Sequence, residues 1–317
     1  MRFSSIRRRL DSFSLSSEKT RKVYNQTRID GNLGTRKKRN QEQAENMSAL
    51  LELRDVTKTF GGLTAVKNLS FNVDSAEIVG LIGPNGAGKT TLFNTITGVY
   101  KPSSGSIFFE GKNISGKKPH KVAQIGIART FQTVRPFVRM TVIENVMMGG
   151  LFGRDHTLST RKSRERASEV LDFMNLSNRS DVFAGSLSLA EQRRLELARA
   201  LAVQPKLLML DEVMAGLNLT EIGNTLDLLV KVNSEKKIAL VVIEHVLKAV
   251  MKLCTRIIVI DRGSKIAEGL PDEIVNNSKV IEAYLGDKTA STARRARLNT
   301  QPASDSKSSL QSNDQSN

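Results

Sequence analysis

The sequence predicts an α/β fold, and three patterns carry that expectation. Short apolar runs rich in Val, Ile and Leu alternate with longer segments of helical period. The runs IVGLI, LLML, ALVVI and RIIVI are continuously apolar, as strands of a parallel sheet covered on both faces are. ALLELRDVTKTF and LSFNVDSAEI instead alternate apolar and polar residues, the pattern of an antiparallel pair with one wet face.

The ends of the chain read differently from its middle. The 317 residues are 39% apolar and 25% charged, which excludes collagen-like, coiled-coil and wholly disordered chains. The net charge of +16 is uneven: residues 1–46 carry +7 and residues 287–317 carry +2. Both ends are poor in large apolar residues, so neither buries enough surface to offset the entropy of ordering. We expect a disordered basic extension over 1–46, a folded unit over 47–286 and a disordered tail over 287–317. The opening MRFSSIRRRLDSFSLSS has the Arg and Ser of a transit peptide, but it lacks an apolar core and Asp11, Glu18 and Asp30 speak against targeting. Translation beginning at Met47 and a solvated extension both fit. The lone Cys254 excludes an intrachain disulfide and fits a reducing compartment, and no apolar stretch reaches the roughly 18 residues of a membrane span.

Taken in order, the antiparallel pair is followed by the strand EIVGLI, the loop GPNGAGKT and the helix TTLFNTITG. Gly83, Gly88, Lys89 and Thr90 have the spacing of a phosphate-binding loop, with Pro84, Asn85, Gly86, Ala87 and Thr91 completing the cradle. Glycine lets the backbone approach the phosphates, successive N–H groups and the helix N-terminus face the anion, Lys89 reaches the terminal phosphates, and Thr90 ligates magnesium. From Gln132 the chain turns helical and charged, with RKSRERASEVLDFMNL amphipathic, so an inserted helical lobe is expected over about 133–200.

The strand KLLMLDE then ends in two acids. Asp211 would hold Mg²⁺ through its water shell, and Glu212 would orient and polarise the attacking water. Neighbouring side chains on a strand point to opposite faces, so both acids serve one site only if the strand ends there. Loop and acid pair together define a nucleotide hydrolase. A guanine-reading NKxD is absent from the sequence.

At this point the chain resembles the ATP-binding subunits of ABC transporters over nearly all of 50–286. TFQ resembles their glutamine loop, SLSLAEQRRLELARAL their signature helix, AGLN the loop after the catalytic acid, and VVIEH their switch histidine. The resemblance implies the ABC ATPase fold: a P-loop ATPase core, an antiparallel β subdomain and an inserted α-helical subdomain. It implies ATP and Mg²⁺ as cofactors, with Glu212, His245 and Gln132 catalytic, Thr90, Gln132 and Asp211 about the metal, and Phe60 stacked on adenine. Ser188 would bind the γ-phosphate held by a second ATPase subunit. Plainer structural readings stand beside these: Gln132 as a solvated glutamine, His245 and Phe60 as core, and Ser188 with Glu191 as a capping box.

The signature departs from the family. Leu187, Ser188, Leu189, Ala190 and Glu191 stand where LSGGQ is usual, so Glu191 is expected to repel a phosphate; Val213 and Asn218 replace a usual proline and aspartate. FGGLTAV, ARTFQTVRPF, MTVIENV and VIEAYLGD resemble the ATPases of branched-chain amino-acid importers. The resemblance implies a peripheral protein on the cytoplasmic face of a bacterial inner membrane. Its partners would be permease subunits and a solute-binding protein, with no direct contact to nucleic acid. Importers of urea, amides or aromatic acids, a soluble ABC ATPase acting on nucleic acid or ribosomes, and an ATPase-dead structural partner are the alternatives.

Overall fold

The computed structural model describes residues 49–155 and 158–285. The expected tails at 1–46 and 287–317 lie outside the described residues.

Strands β1 (Leu51–Phe60), β2 (Leu63–Val73), β4 (Ser104–Phe109) and β5 (Lys112–Asn113) form an antiparallel sheet in the order β2-β1-β4-β5. Its alternating sequence buries one face, with Leu51, Leu53 and Val56 inside and Arg54 and Asp55 in water. The second sheet has the order β10-β9-β3-β8-β7-β6. Its strands β3 (Ile78–Ile82), β6 (Ile127–Arg129), β7 (Leu207–Asp211), β8 (Ala239–Ile243) and β9 (Arg256–Asp261) are parallel, and β10 (Ser264–Gly269) closes one edge antiparallel.

The continuous apolar runs are explained by two cores, one on each face of this sheet. Along β7, Leu207 and Met209 join the cluster under the antiparallel sheet, whereas Leu208 and Leu210 join the cluster under the helices. Helix α1 (Lys89–Ile96) follows β3 and contributes Leu92, Phe93 and Ile96 to the first core; the short α2 (Pro119–Gln124) leads into β6.

The helical lobe consists of α3 (Val142–Phe152), α4 (Thr160–Phe173) and α5 (Leu189–Ala202). Each starts at a side chain that caps its exposed N–H groups: Thr141, Ser159 and Ser188. Helix α6 (Leu219–Lys236) is capped by Asn218, whose Oδ1 accepts from the Glu221 N–H at 3.0 Å, so asparagine does there what aspartate would. Helices α7 (Leu247–Leu253), α8 (Pro271–Asn276) and α9 (Ser278–Leu285) complete the described chain. No helix among the described residues is long and apolar enough to cross a membrane.

Candidate active site

The loop from Gly83 to Gly88 joins β3 to α1 at the carboxyl ends of the parallel strands, where α/β sheets bind ligands. Two of its glycines are required by close approach: a Cβ on Gly83 would lie 2.0 Å from the Ile260 carbonyl oxygen, and one on Gly88 would lie 2.2 Å from that of Ala65. Gly88, at φ +101°, is also the N-cap of α1. The buried Lys89 ammonium donates to the Gly83 carbonyl at 2.7 Å and to that of Pro84 at 2.9 Å. Burial pushes its pKa down, opposed by the charges of Glu212 and Asp211. Thr90 and Asn85 are exposed at the mouth.

Strand β7 ends at Asp211, which meets the condition for two adjacent acids to share a site. Glu212 leaves the strand at φ +52°, a left-handed backbone that non-glycine residues rarely adopt. Asp211 is buried; its Oδ2 accepts from the Arg129 guanidinium at 2.8 Å, while its buried Oδ1 has no protein partner. Burial raises its pKa and Arg129 opposes the rise. Glu212 is held at both oxygens: Oε2 accepts from the Gln132 amide at 2.9 Å and Oε1 lies 2.8 Å from His245 Nε2. With Glu212 ionised, Nε2 carries the proton.

The structure therefore brings Gln132, Glu212 and His245 together and sets them beside Asp211 and Lys89. His245 is not core, since its side chain is 48% exposed. Phe60 is not core either: it is exposed at the end of β1, edge-on to Tyr100 at 5.1 Å, with the Lys58 ammonium 4.8 Å from its ring. Its hairpin partner β2 carries Ala65 against Gly88, so an exposed aromatic stands on the hairpin that borders the loop.

Ser188 stands apart from this cluster. Its N–H donates to Glu191 Oε2 at 2.9 Å and its Oγ accepts from the Glu191 N–H at 3.3 Å, the capping box foreseen. Glu191 does not present a bare charge to an anion, because the Arg179 Nε donates to its Oε1 at 2.9 Å. The bond from the Ser188 N–H, with Arg179, holds its carboxyl below the usual range. The carboxylate expected to repel a phosphate is thus paired with a guanidinium of the same chain.

Four buried charges belong to the site and were not singled out from sequence. Arg129 braces Asp211. Glu196 of α5 accepts from the Phe131 N–H at 2.7 Å, and Arg193 donates to the Gln132 carbonyl at 3.0 Å, so α5 grips the backbone that carries Gln132. Glu244, between Ile243 and His245, accepts from the Met214 N–H at 2.8 Å, and burial pushes its carboxyl up to about 7. A charge inside or beside an apolar run was the available signal in VVIEH and IAR; the partners lie too far along the chain for any local pattern to name.

The donors fit a magnesium nucleotide. A buried carboxylate oxygen without a protein partner, near the Lys89 ammonium, suits a hard cation that shares its shell with phosphates. Among the described residues no cluster of three or more His, Cys, Asp and Glu forms an all-protein metal cage.

Comparison with known proteins agrees with this geometry. The family model described as ABC transporter matches residues 66–215, and that described as Branched-chain amino acid ATP-binding cassette transporter matches 264–290. The high-affinity branched-chain amino acid transport ATP-binding protein BraF of Pseudomonas aeruginosa is 41% identical over 250 residues, covering 75% of this chain and 98% of its own. An ABC-transporter cassette solved in its ADP conformation superposes with a TM-score of 0.69 at 32% identity, over 76% of this chain and all of that one. A dimeric cassette in a post-hydrolysis state bound to ADP and Pi gives 0.62 at 28% identity, over 70% of this chain and 98% of that one. The chain belongs to the ABC transporter ATP-binding family, in its branched-chain amino acid group.

Proposed function

We propose that this chain hydrolyses ATP to energise an importer of branched-chain amino acids, acting as a peripheral subunit on the cytoplasmic face of a bacterial inner membrane. The observation that carries the chemistry is the placement of Glu212, held between Gln132 and His245 beside a buried Asp211 oxygen that no protein group satisfies. Phosphoryl transfer needs positioned charge more than covalent participation. Residues 83–91 supply N–H groups and the Lys89 ammonium to the phosphates, and Phe60 offers a ring face to the base. Mg²⁺, held by Thr90 and Asp211 with Gln132 close by, would neutralise charge developing on the terminal phosphates. Glu212 orients the attacking water and withdraws its proton, and His245 fixes the carboxylate and contacts the γ-phosphate.

The dimeric cassette among the structural relatives supports a second ATPase subunit across the nucleotide, approached by the α5 N-terminus with Ser188. Selection of the solute falls to permease and solute-binding partners, because nothing in the nucleotide site reads an amino acid. The chain reconstituted with its permease and binding protein should take up radiolabelled leucine and valine in an ATP-dependent manner, and Glu212→Gln should abolish it. Uptake of urea with no leucine transport would overturn the cargo assignment.

A further inference from the structure

The segment 129–132 reaches both acids of the site. Gln132 donates to Glu212 Oε2 at 2.9 Å, Thr130 Oγ1 accepts from the Asp211 N–H at 3.2 Å, and Arg129 donates to Asp211 Oδ2 at 2.8 Å. The Arg129 guanidinium also donates to Asn94 Oδ1 on α1, five residues beyond Lys89. It is packed between two rings, 5.6 Å from the centroid of Phe93 and 5.1 Å from that of Phe131. Its side chain is 7% exposed and that of Asp211 1%.

A pair built for stability alone would be forked, two parallel N–H donors on two carboxylate oxygens. Here the guanidinium divides its donors between Asn94 and Asp211. One buried oxygen of Asp211 is left bare, and so is Arg129 Nε. The division fixes the rotation of the carboxylate while keeping Oδ1 available.

Building on the ATPase reading, we propose that Arg129 is the positioning residue of the metal site: it clamps Asp211 Oδ2 to the helix of the phosphate loop, so that Oδ1 is presented to Mg²⁺ in fixed register with Lys89 and Thr90. Arg129 touches neither phosphate nor metal; it acts through Asp211. Lysine at 129 supplies charge but cannot span Asn94 and Asp211 with a rigid planar fork.

The test uses the full chain with Mn²⁺ as a spectroscopic substitute for Mg²⁺. Mn²⁺ binding is followed by electron paramagnetic resonance in the presence of ADP, ADP affinity is measured separately in EDTA, and hydrolysis is titrated with Mg²⁺. R129K should weaken Mn²⁺ binding and raise the half-saturating Mg²⁺ concentration by about tenfold, the usual effect of losing an outer-shell partner. ADP affinity in EDTA should stay at the wild-type value. N94A, which leaves the Arg129–Asp211 bond in place and removes only the tether to α1, should shift metal binding in the same direction by less, and it serves if R129K does not fold. Wild-type Mn²⁺ and Mg²⁺ titrations in a folded R129K or N94A would overturn the proposal and leave the ATPase reading standing. An equal loss of ADP affinity with and without metal would also overturn it. A wild-type chain that neither hydrolyses ATP nor binds Mn²⁺ with ADP would overturn both.

Discussion

His245 Nε2 and Glu212 Oε1 lie 2.8 Å apart although 33 residues separate them, because β7 and β8 are neighbours in the parallel sheet, β7 ending one residue before Glu212 and β8 two residues before His245. The register pairs Asp211 with Ile243, so Glu212 and His245 emerge at one edge.

That relationship makes Glu212, Gln132 and His245 a unit, and removal of one member should take most of what the unit supplies. Glu212→Gln should retain ATP binding and lose turnover by about a hundredfold or more. His245→Ala should fall similarly, and the double variant little further; Lys89→Ala should lose binding itself. Phosphate release together with nucleotide-binding assays separates these outcomes. Additive losses in the double variant would show that the two side chains act independently.

A second consequence concerns pH. Burial pushes the Glu244 carboxyl up to about 7, whereas an unfolded glutamate titrates near ~4.3. The folded state therefore binds the proton more tightly, so the associated stability is complete below about pH 4 and is lost as pH rises through about 7, by at most about 4 kcal/mol. Glu244→Gln keeps the acceptor for the Met214 N–H and cannot ionise. It should match wild type near pH 4 and exceed it in urea unfolding near pH 8; identical pH profiles would remove Glu244 from this role.

Local motifs were legible in the sequence and long-range contacts were not. The loop at 83–91 could be read because its chemistry is set by spacing along the chain, and the strands around it because their apolar runs are uninterrupted. Strand β6 was missed because three residues, Ile127–Arg129, are too few to show a period. The restriction on two adjacent acids was known from strand geometry, yet its resolution, a left-handed Glu212, follows from tertiary packing. The ion pair of Glu191 depends on a residue 12 positions earlier: Arg179 sits in the short turn Ser177–Arg179, and nothing in the local pattern says that it reaches α5.

The capping box at the signature yields a third expectation. Ser188→Ala removes the hydroxyl that accepts from the Glu191 N–H and should cost about 1 kcal/mol of stability, while Glu191→Gln keeps one acceptor for the box, loses the Arg179 pair and should cost less, about 0.5 kcal/mol. If the α5 N-terminus also meets nucleotide on a second subunit, a hydrolysis-blocked Glu212→Gln chain should elute as a dimer with ATP and as a monomer without it. Adding Ser188→Ala should weaken that dimer. Sizing that finds monomer under both conditions would count against a shared site.

The last expectation concerns coupling to the permease. Residues 138–141 and 183–185 run side by side on the lobe, through the Thr141–Phe183 bridge and hydrogen bonds from Ala184 N–H to the Met140 carbonyl and from Gly185 N–H to that of Val138. Val138 is 56% exposed there and Phe183 60%, with Phe131, next to Gln132, exposed as well. Contiguous exposed apolar patches mark protein contact sites. Of these residues, Phe131 is the one tied to the nucleotide site: its N–H donates to Glu196, the next carbonyl accepts from Arg193, and the Gln132 amide donates to Glu212, so a permease seated on Phe131 would feel a change at Glu212. Phe183→Asp and Val138→Asp lie outside the hydrolytic cluster and should leave the ATPase rate of the isolated chain unchanged. In the reconstituted importer they should abolish leucine uptake and permease co-purification. Normal uptake with either variant would move the coupling surface elsewhere, whereas loss of ATPase activity in the isolated chain would show that these residues support the site itself.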